Sequence, residues 1–250
     1  MKINVYDTPT AAAQAAAEAA AGILREAIQA KGHAVFVAAT GNSQLEFLKH
    51  LTAAPGISWK HTTLFHLDEY IGIPSSHPAS FRRYLRERLT SLVPVGNVHF
   101  VQGDAPDLTA ELERLNAAIA ATAVDVAFIG IGENGHIAFN DPPADFATET
   151  PFIVVDLDDA CRRQQVGEGW FDSIEAVPRQ AVSMSVKQIM TSARILCTVL
   201  DKRKAHAVKA CLAGEIGPMF PASILRTHPG CDLFLDRDAA GLLPPAERSA

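Results

Sequence analysis

Short apolar runs recur along the chain, separated by longer stretches in which apolar residues return every third or fourth position. The runs at 3–6, 34–39, 62–67, 126–131, 152–156, 181–183, 195–200 and 233–235 have the length and composition of buried strands. The stretches at 10–30, 43–52, 79–91, 108–121, 186–191 and 203–213 have helical periodicity. Continuous apolar strands are buried on both faces, and intervening helices supply the crossovers that parallel pairing needs. The pattern predicts an α/β fold, a largely parallel sheet with helices on both faces. The alanine run after Thr10 reflects helix propensity, and no Gly/Ser linker or internal repeat breaks the rhythm. Residues 1–250 are therefore expected to form one domain.

Three of the predicted strands run into residues that carry chemistry. In VDVAFIGIGENGHIAFNDPPA, at 124–144, a strand breaks into a glycine-containing turn that presents His136 and, five residues on, Asp141. A loop at the carboxyl end of a central strand is where α/β proteins bind ligands, and a carboxylate-oriented histidine there can transfer protons. A hydrogen-bonded loop histidine fits the same residues. In TTLFHLDEY, at 62–70, a strand ends in Asp68 and Glu69. A carboxylate in a partly dry strand end can act as a base, and an acidic pair can equally cap the next helix. In AVFVAATGNSQLEFLKHL, at 34–51, strand, turn and amphipathic helix follow one another. The Gly41, Asn42 and Ser43 N–H groups, with the Thr40 and Ser43 hydroxyls, could cradle a phosphate, or Asn42 or Ser43 could simply cap the helix. The turn is not a Walker A loop.

Bulk properties narrow the partners. A formal net charge of −6 with no basic face argues against nucleic acid, so an anionic ligand has to be held locally. The four cysteines, Cys161, Cys197, Cys211 and Cys231, lack zinc-site spacing and read as buried thiols of a reducing compartment. MKINVYD reads as a strand rather than a signal peptide, and no apolar run reaches the roughly 18–20 residues of a membrane span. A soluble, cytoplasmic protein is expected. The polar, glycine-containing segment 158–179, with Trp170 and Phe171, departs from the strand–helix rhythm and fits either a lid or an ordinary helix and loop.

Taken together, these segments resemble the glucosamine-6-phosphate deaminase (isomerase) family, a relative of the 6-phosphogluconolactonases. The resemblance is carried by DEYIG at 68–72 with HPASFRRYL at 77–85, by GIGENGHIAFND at 130–141, and by the segment from Lys204 to Pro229. It covers nearly the whole chain, and GHIAFN and DEY favour the deaminase branch. The resemblance implies a Rossmann-like fold, a phosphosugar substrate, no metal and no organic cofactor. It implies a catalytic set of Asp68, His136, Asp141 and Asn134. Asp68 would move a proton between C2 and C1, His136 would open the sugar ring, and Asp141 would orient the imidazole. Thr40, Gly41, Asn42, Ser43 and Lys204 would hold the phosphate, and 158–179 would be a lid. A homo-oligomer is left open.

The chain also departs from the family pattern. TGNSQ at 40–44 stands where TGGTP or TGSTP is usual, so Gln44 replaces a proline. Asp141 stands for the usual glutamate, and Gly169 precedes Trp170-Phe171 where a phosphate-binding lid arginine is usual. Arg162 or Arg163 are the candidates to substitute for it. Two other functions stay open: a sugar-phosphate lactonase, which needs less from Asp68, and a non-catalytic phosphosugar-binding module.

Overall fold

The computed structural model of the chain describes residues 1–244. The chain begins with β1 (Lys2–Tyr6), α1 (Pro9–Lys31), β2 (Ala34–Ala38), α2 (Asn42–Ala53), β3 (Thr62–His66), β4 (Asp68–Tyr70), α3 (Phe81–Leu85), β5 (Asn97–His99) and α4 (Leu108–Ala120). It continues with β6 (Val126–Ile129), β7 (Phe152–Asp156), α5 (Asp159–Gly167), β8 (Gln180–Met184), α6 (Val186–Met190), β9 (Arg194–Val199), α7 (Ala205–Ala213) and β10 (Cys231–Asp236). Local chemistry sets the ends of α1. The Thr8 hydroxyl accepts from Ala11 N–H at 3.1 Å, Pro9 fills the first turn, and Gly32 closes the helix at φ 79°.

Seven strands form one parallel sheet in the order β1-β10-β9-β6-β2-β3-β5. Successive side chains point to opposite faces. Val35, Val37, Ala127 and Ile129 enter one core, closed by residues of α4, α6 and α7 such as Leu115, Ile189 and Val208. Phe36, Leu64, Phe128 and Leu196 enter the other, closed by the alanine face of α1 and by Phe47, Leu48 and Leu51 of α2. Among the described residues no helix is long and apolar enough to cross a membrane. All four cysteines are buried and unpaired.

Two expected strands lie outside this sheet. β7 and β8 pair antiparallel, and with β4 they form a separate three-stranded sheet. In β7, Val154 and Asp156 on one face are exposed while Ile153 and Val155 on the other are half-buried, the one-sided pattern that an antiparallel strand tolerates and a central parallel strand does not. The three-residue strands β4 and β5 are too short to have left a periodic signal, and α5 was hidden by its polar composition. The helix expected over 79–91 is α3 followed by a π-helical turn at Arg86–Thr90.

β4 sends its two carboxylates to opposite sides. Glu69 is fully buried and accepts from the N–H groups of Tyr70, Phe81 and Arg82 at 3.0, 3.1 and 2.9 Å and from the Ser80 hydroxyl at 2.8 Å. Arg82 Nε stands 3.5 Å away. Burial drives this carboxyl above its ordinary value, while the donors around it pull the other way. Glu69 thus anchors the start of α3 to the sheet and leaves the cavity side to Asp68. Glu69→Gln turns one acceptor into a donor facing backbone N–H groups. It is expected to lower the unfolding free energy by about 2–4 kcal/mol in chemical denaturation.

Candidate active site

The carboxyl ends of β2, β3, β6 and β9 open into a cavity of about 300 Å³. It lies where the winding reverses: from β2 the chain proceeds to β3 and β5 on one side, and from β6 to β9 and β10 on the other. Such switch points leave a crevice at the strand ends. Thr40, Gly41, Asn42, Ser43, Asp68, His136 and Lys204 all line the cavity. Asn134 and Asp141 stand behind His136.

The turn after β6 is held from both sides. Gly132 N–H donates to the His136 carbonyl at 2.9 Å, and the Asn140 amide donates to the Ile137 and Met184 carbonyls at 2.8 and 2.9 Å, pinning the turn to β8. Gly135 has φ 87° and Ala138 φ 52°, so the backbone doubles back within four residues. His136 Nδ1 lies 2.9 Å from Asp141 Oδ1, so the aspartate spans the gap without the extra methylene of a glutamate. Asp141 also accepts from Asn134 Nδ2 at 3.0 Å and from Asp158 N–H at 3.2 Å. Burial works against its ionisation, but the bonds from His136, Asn134 and Asp158 hold the carboxyl below its ordinary value. An ionised Asp141 assigns the Nδ1 proton to His136 and leaves Nε2 as the acceptor. The imidazole lies against Gly132, where a Cβ would stand 2.3 Å from Nε2.

The Asp68 carboxyl group makes no hydrogen bond to any described residue, although it is buried. Desolvation, with the charge of Glu69 beside it, pushes its carboxyl up to about 8. A carboxylate without partners at a cavity wall is a base without a proton source of its own.

The opposite end gathers a helix start and an ammonium. Gly41, at φ 99°, leads into α2, whose first N–H groups have no intrahelical acceptor. Its carbonyl accepts from the Tyr84 hydroxyl at 2.9 Å, and Leu200 N–H donates to Ser43 Oγ at 3.2 Å. Gln44, in the place of the usual proline, is buried and donates to the Ile129 carbonyl at 3.1 Å, tying the turn to β6. Lys204 sits in the turn after β9, shaped by Asp201 at φ 87°, whose N–H donates to Asp236 at 3.2 Å. Its side chain is buried, with no ion pair to any described residue, and burial lowers the ammonium's pKa.

The sequence profile of the family described as glucosamine-6-phosphate isomerases/6-phosphogluconolactonase matches residues 7–233. The chain belongs to this family. The glucosamine-6-phosphate deaminase of Oenococcus oeni is 35% identical over 243 residues, covering 97% of this chain and 99% of that protein. A solved structure of a monomeric glucosamine-6-phosphate deaminase superposes with a TM-score of 0.88 at 33% identity, covering 97% of this chain and 100% of that one. The 6-phosphogluconolactonase of Trypanosoma brucei shares the fold, with a TM-score of 0.78 at 18% identity and coverage of 97% and 98%.

Against the family pattern, no arginine of 158–179 reaches the cavity. Arg162 is buried and bonds Asp159 and the carbonyls of Ile174 and Val177, and Arg163 is exposed. The segment instead lines the cavity with Gln164, Gln165, Glu168 and Trp170. Only Trp170 had a sequence signal; the amides and Glu168 read as ordinary polar helix residues. His228 is structural: its Nε2 donates to the Ser192 carbonyl at 2.8 Å, and Gly230 N–H donates to its Nδ1 at 3.1 Å. Among the described residues His136, Asp141 and Cys161 place ligand-type atoms within 4.8 Å of one another. The first two already bond each other there, and burial and neighbouring carboxylates hold the Cys161 thiol well above its ordinary range, in the form that ligates poorly.

Asp68 should make stability fall with rising pH. The unfolded chain releases this proton near 3.8 and the folded chain near 8, so the native state holds an extra proton between those values. Asp68→Asn removes the titration. Its stability relative to the parent is expected to grow from about pH 4 to pH 8 and then level off, read from urea melts across that range.

Proposed function

We propose that this chain converts glucosamine 6-phosphate, or a close analogue, into fructose 6-phosphate and ammonia. The observation that carries the reading is the meeting of three groups in one cavity: a buried carboxylate without partners, a carboxylate-held imidazole and an unpaired buried ammonium beside a helix start. The near-full-length similarity to curated deaminases supports it.

The phosphate lies on Thr40, Gly41, Asn42 and Ser43 with Lys204, which sets the sugar across the cavity toward Asp68 and His136. His136 Nε2 takes the proton of the anomeric hydroxyl and returns it to the ring oxygen, opening the pyranose, while Asp141 stabilises the imidazolium formed in between. Asp68 removes the C2 proton of the open aldehyde while the 2-ammonium group gives up a proton to O1, and the enolamine so formed takes the proton of Asp68 at C1. The resulting C2 imine adds water and expels ammonia, leaving the 2-ketone. The substrate's 2-ammonium group, close to Asp68, favours the ionised carboxylate that this step needs. Asn134 acts through Asp141 and the His136 backbone, to which it bonds at 3.0 and 3.1 Å. Segment 158–179 serves as a lid that keeps water from the enolamine. Groups from Thr40 to Lys204 complete the site within one chain, so the reading treats 1–250 as one domain and needs no second copy. The compartment we propose is the cytoplasm, where four unpaired thiols persist.

The test is release of ammonia and fructose 6-phosphate from glucosamine 6-phosphate, with galactosamine 6-phosphate, unphosphorylated glucosamine and 6-phosphogluconolactone alongside. Equimolar products are expected, and turnover of the lactone in place of the aminosugars would move the chain to the hydrolase branch. Asp68→Asn and His136→Gln are each expected to lose about 10²–10⁴-fold in kcat while keeping the fold. Gly132→Ala should do the same indirectly, since its Cβ occupies the place of the imidazole. The kcat/KM of the parent is expected to rise with pH until about 8, where the free protein's Asp68 ionises; an acid limb ending near 4 would mean that Asp68 ionises as an ordinary carboxylate, and its persistence in Asp68→Asn would remove Asp68 as the base.

A further inference from the structure

Besides Asp68, the cavity is lined by Glu46, Glu168 and Asp201, which neither the proton transfers nor phosphate binding requires. Glu168 follows α5 and lines the cavity together with Lys204, Arg203 and Trp170. Both of its oxygens are held: Oε1 accepts from Gln164 Nε2 at 2.8 Å and Oε2 from Trp170 Nε1 at 3.2 Å. Its supports are themselves fixed. Gln164 Oε1 accepts from Glu133 N–H at 3.0 Å, and the Trp170 ring meets Tyr84 edge-on at 6.5 Å, the tyrosine whose hydroxyl holds the Gly41 carbonyl. The carboxylate is therefore part of the wall at the phosphate end rather than a solvated side chain. Its field favours the charged forms of both Lys204 and Arg203. Arg203 is already shared between Asp201 and Glu133, at 3.2 and 3.8 Å, whereas Lys204 has no ion pair among the described residues.

We propose that Glu168 is a specificity-determining residue: a built-in anion that balances Lys204 and Arg203 in the empty cavity and that an incoming phosphate works against. The proposal rests on the phosphosugar reading above. The resemblance leads one to expect a lid arginine that adds a cation, but here the lid puts Gly169 after a carboxylate. Two effects follow. Repulsion grows with the charge of the ligand, so a phosphate monoanion loses less than a dianion. When Glu168 yields, it frees the Trp170 N–H, a neutral donor on the same wall.

The test compares the parent with E168Q, which keeps the shape and an acceptor for Trp170 while removing the charge. Calorimetric titration with inorganic phosphate and with glucosamine 6-phosphate is run on both sides of about pH 6, where phosphate takes its second charge. E168Q is expected to bind both about five- to tenfold more tightly on the alkaline side, the order of one screened charge contact, with a smaller gain on the acid side. Its KM for the aminosugar phosphate should fall in parallel, and Glu168→Ala should shift affinity in the same direction. Unchanged or weaker phosphate binding by E168Q, or an equal gain at both pH values, would overturn the proposal. Binding of phosphate needs no turnover. A parent that binds phosphate without releasing ammonia removes the proposed reaction and leaves Glu168's role to the E168Q comparison. Turnover with no gain in E168Q does the reverse, and absence of phosphate binding in both proteins overturns the role of Glu168 while the reaction stands or falls on ammonia release.

Discussion

The pairing of β2 with β6 is the contact from which the rest of the molecule follows. From that seam the chain winds outward in both directions, and only there do the crossover connections leave the strand ends uncovered. The seam is closed by more than its ladder. Val35 N–H donates to the Asp125 carboxylate at 2.7 Å, Ala39 N–H to the Phe128 carbonyl at 2.9 Å, and the Gln44 amide to the Ile129 carbonyl at 3.1 Å. The last of these couples the anion turn after β2 to the histidine turn after β6. A residue that looks like a loss against the family pattern is thereby a stitch between the two halves of the site.

Three carboxylates near this seam show how environment divides one chemical group into separate tasks. Glu69 receives four donors and is spent on holding α3. Asp141 receives donors from His136, Asn134 and Asp158 and is held as an anion that fixes the imidazole. Asp68 receives none, and burial raises its affinity for a proton until it can both take one and give it back. The adjacent pair Asp68 and Glu69 is separated in function by the pleat of a three-residue strand.

The second, antiparallel sheet carries the segment that borders the cavity. β7 and β8 flank α5, and Asp158 at the start of that helix reaches Asp141 through its backbone N–H. The orientation of the imidazole and the seating of α5 therefore share one carboxylate. At the far end of the same helix the wall facing Lys204 is made of amides, an indole and Glu168 instead of a guanidinium. The fold can accept this exchange because Arg162 has been taken into the packing of 158–179, where it bonds the Ile174 and Val177 carbonyls.

Apolar periodicity by itself determined the parallel sheet, the helices on its two faces and the three strand ends that carry Thr40 to Ser43, Asp68 and His136. These are local properties: side-chain alternation, glycine turns and strand-to-helix order are written in neighbouring residues. What sequence left open depended on contacts between segments far apart in the chain. Whether Glu69 or Asp68 faces the cavity was decided by the donors of α3, more than ten residues away. That β7 and β8 leave the main sheet was decided by their pairing with each other and by that of β8 with β4, and a three-residue strand has no periodicity to announce it. The absence of a lid arginine was visible as a missing letter. That Glu168 stands in the same cavity as Lys204 was decided only when α5 met the turn after β6 through Gln164 and Glu133, because burial and charge pairing are properties of space and not of spacing.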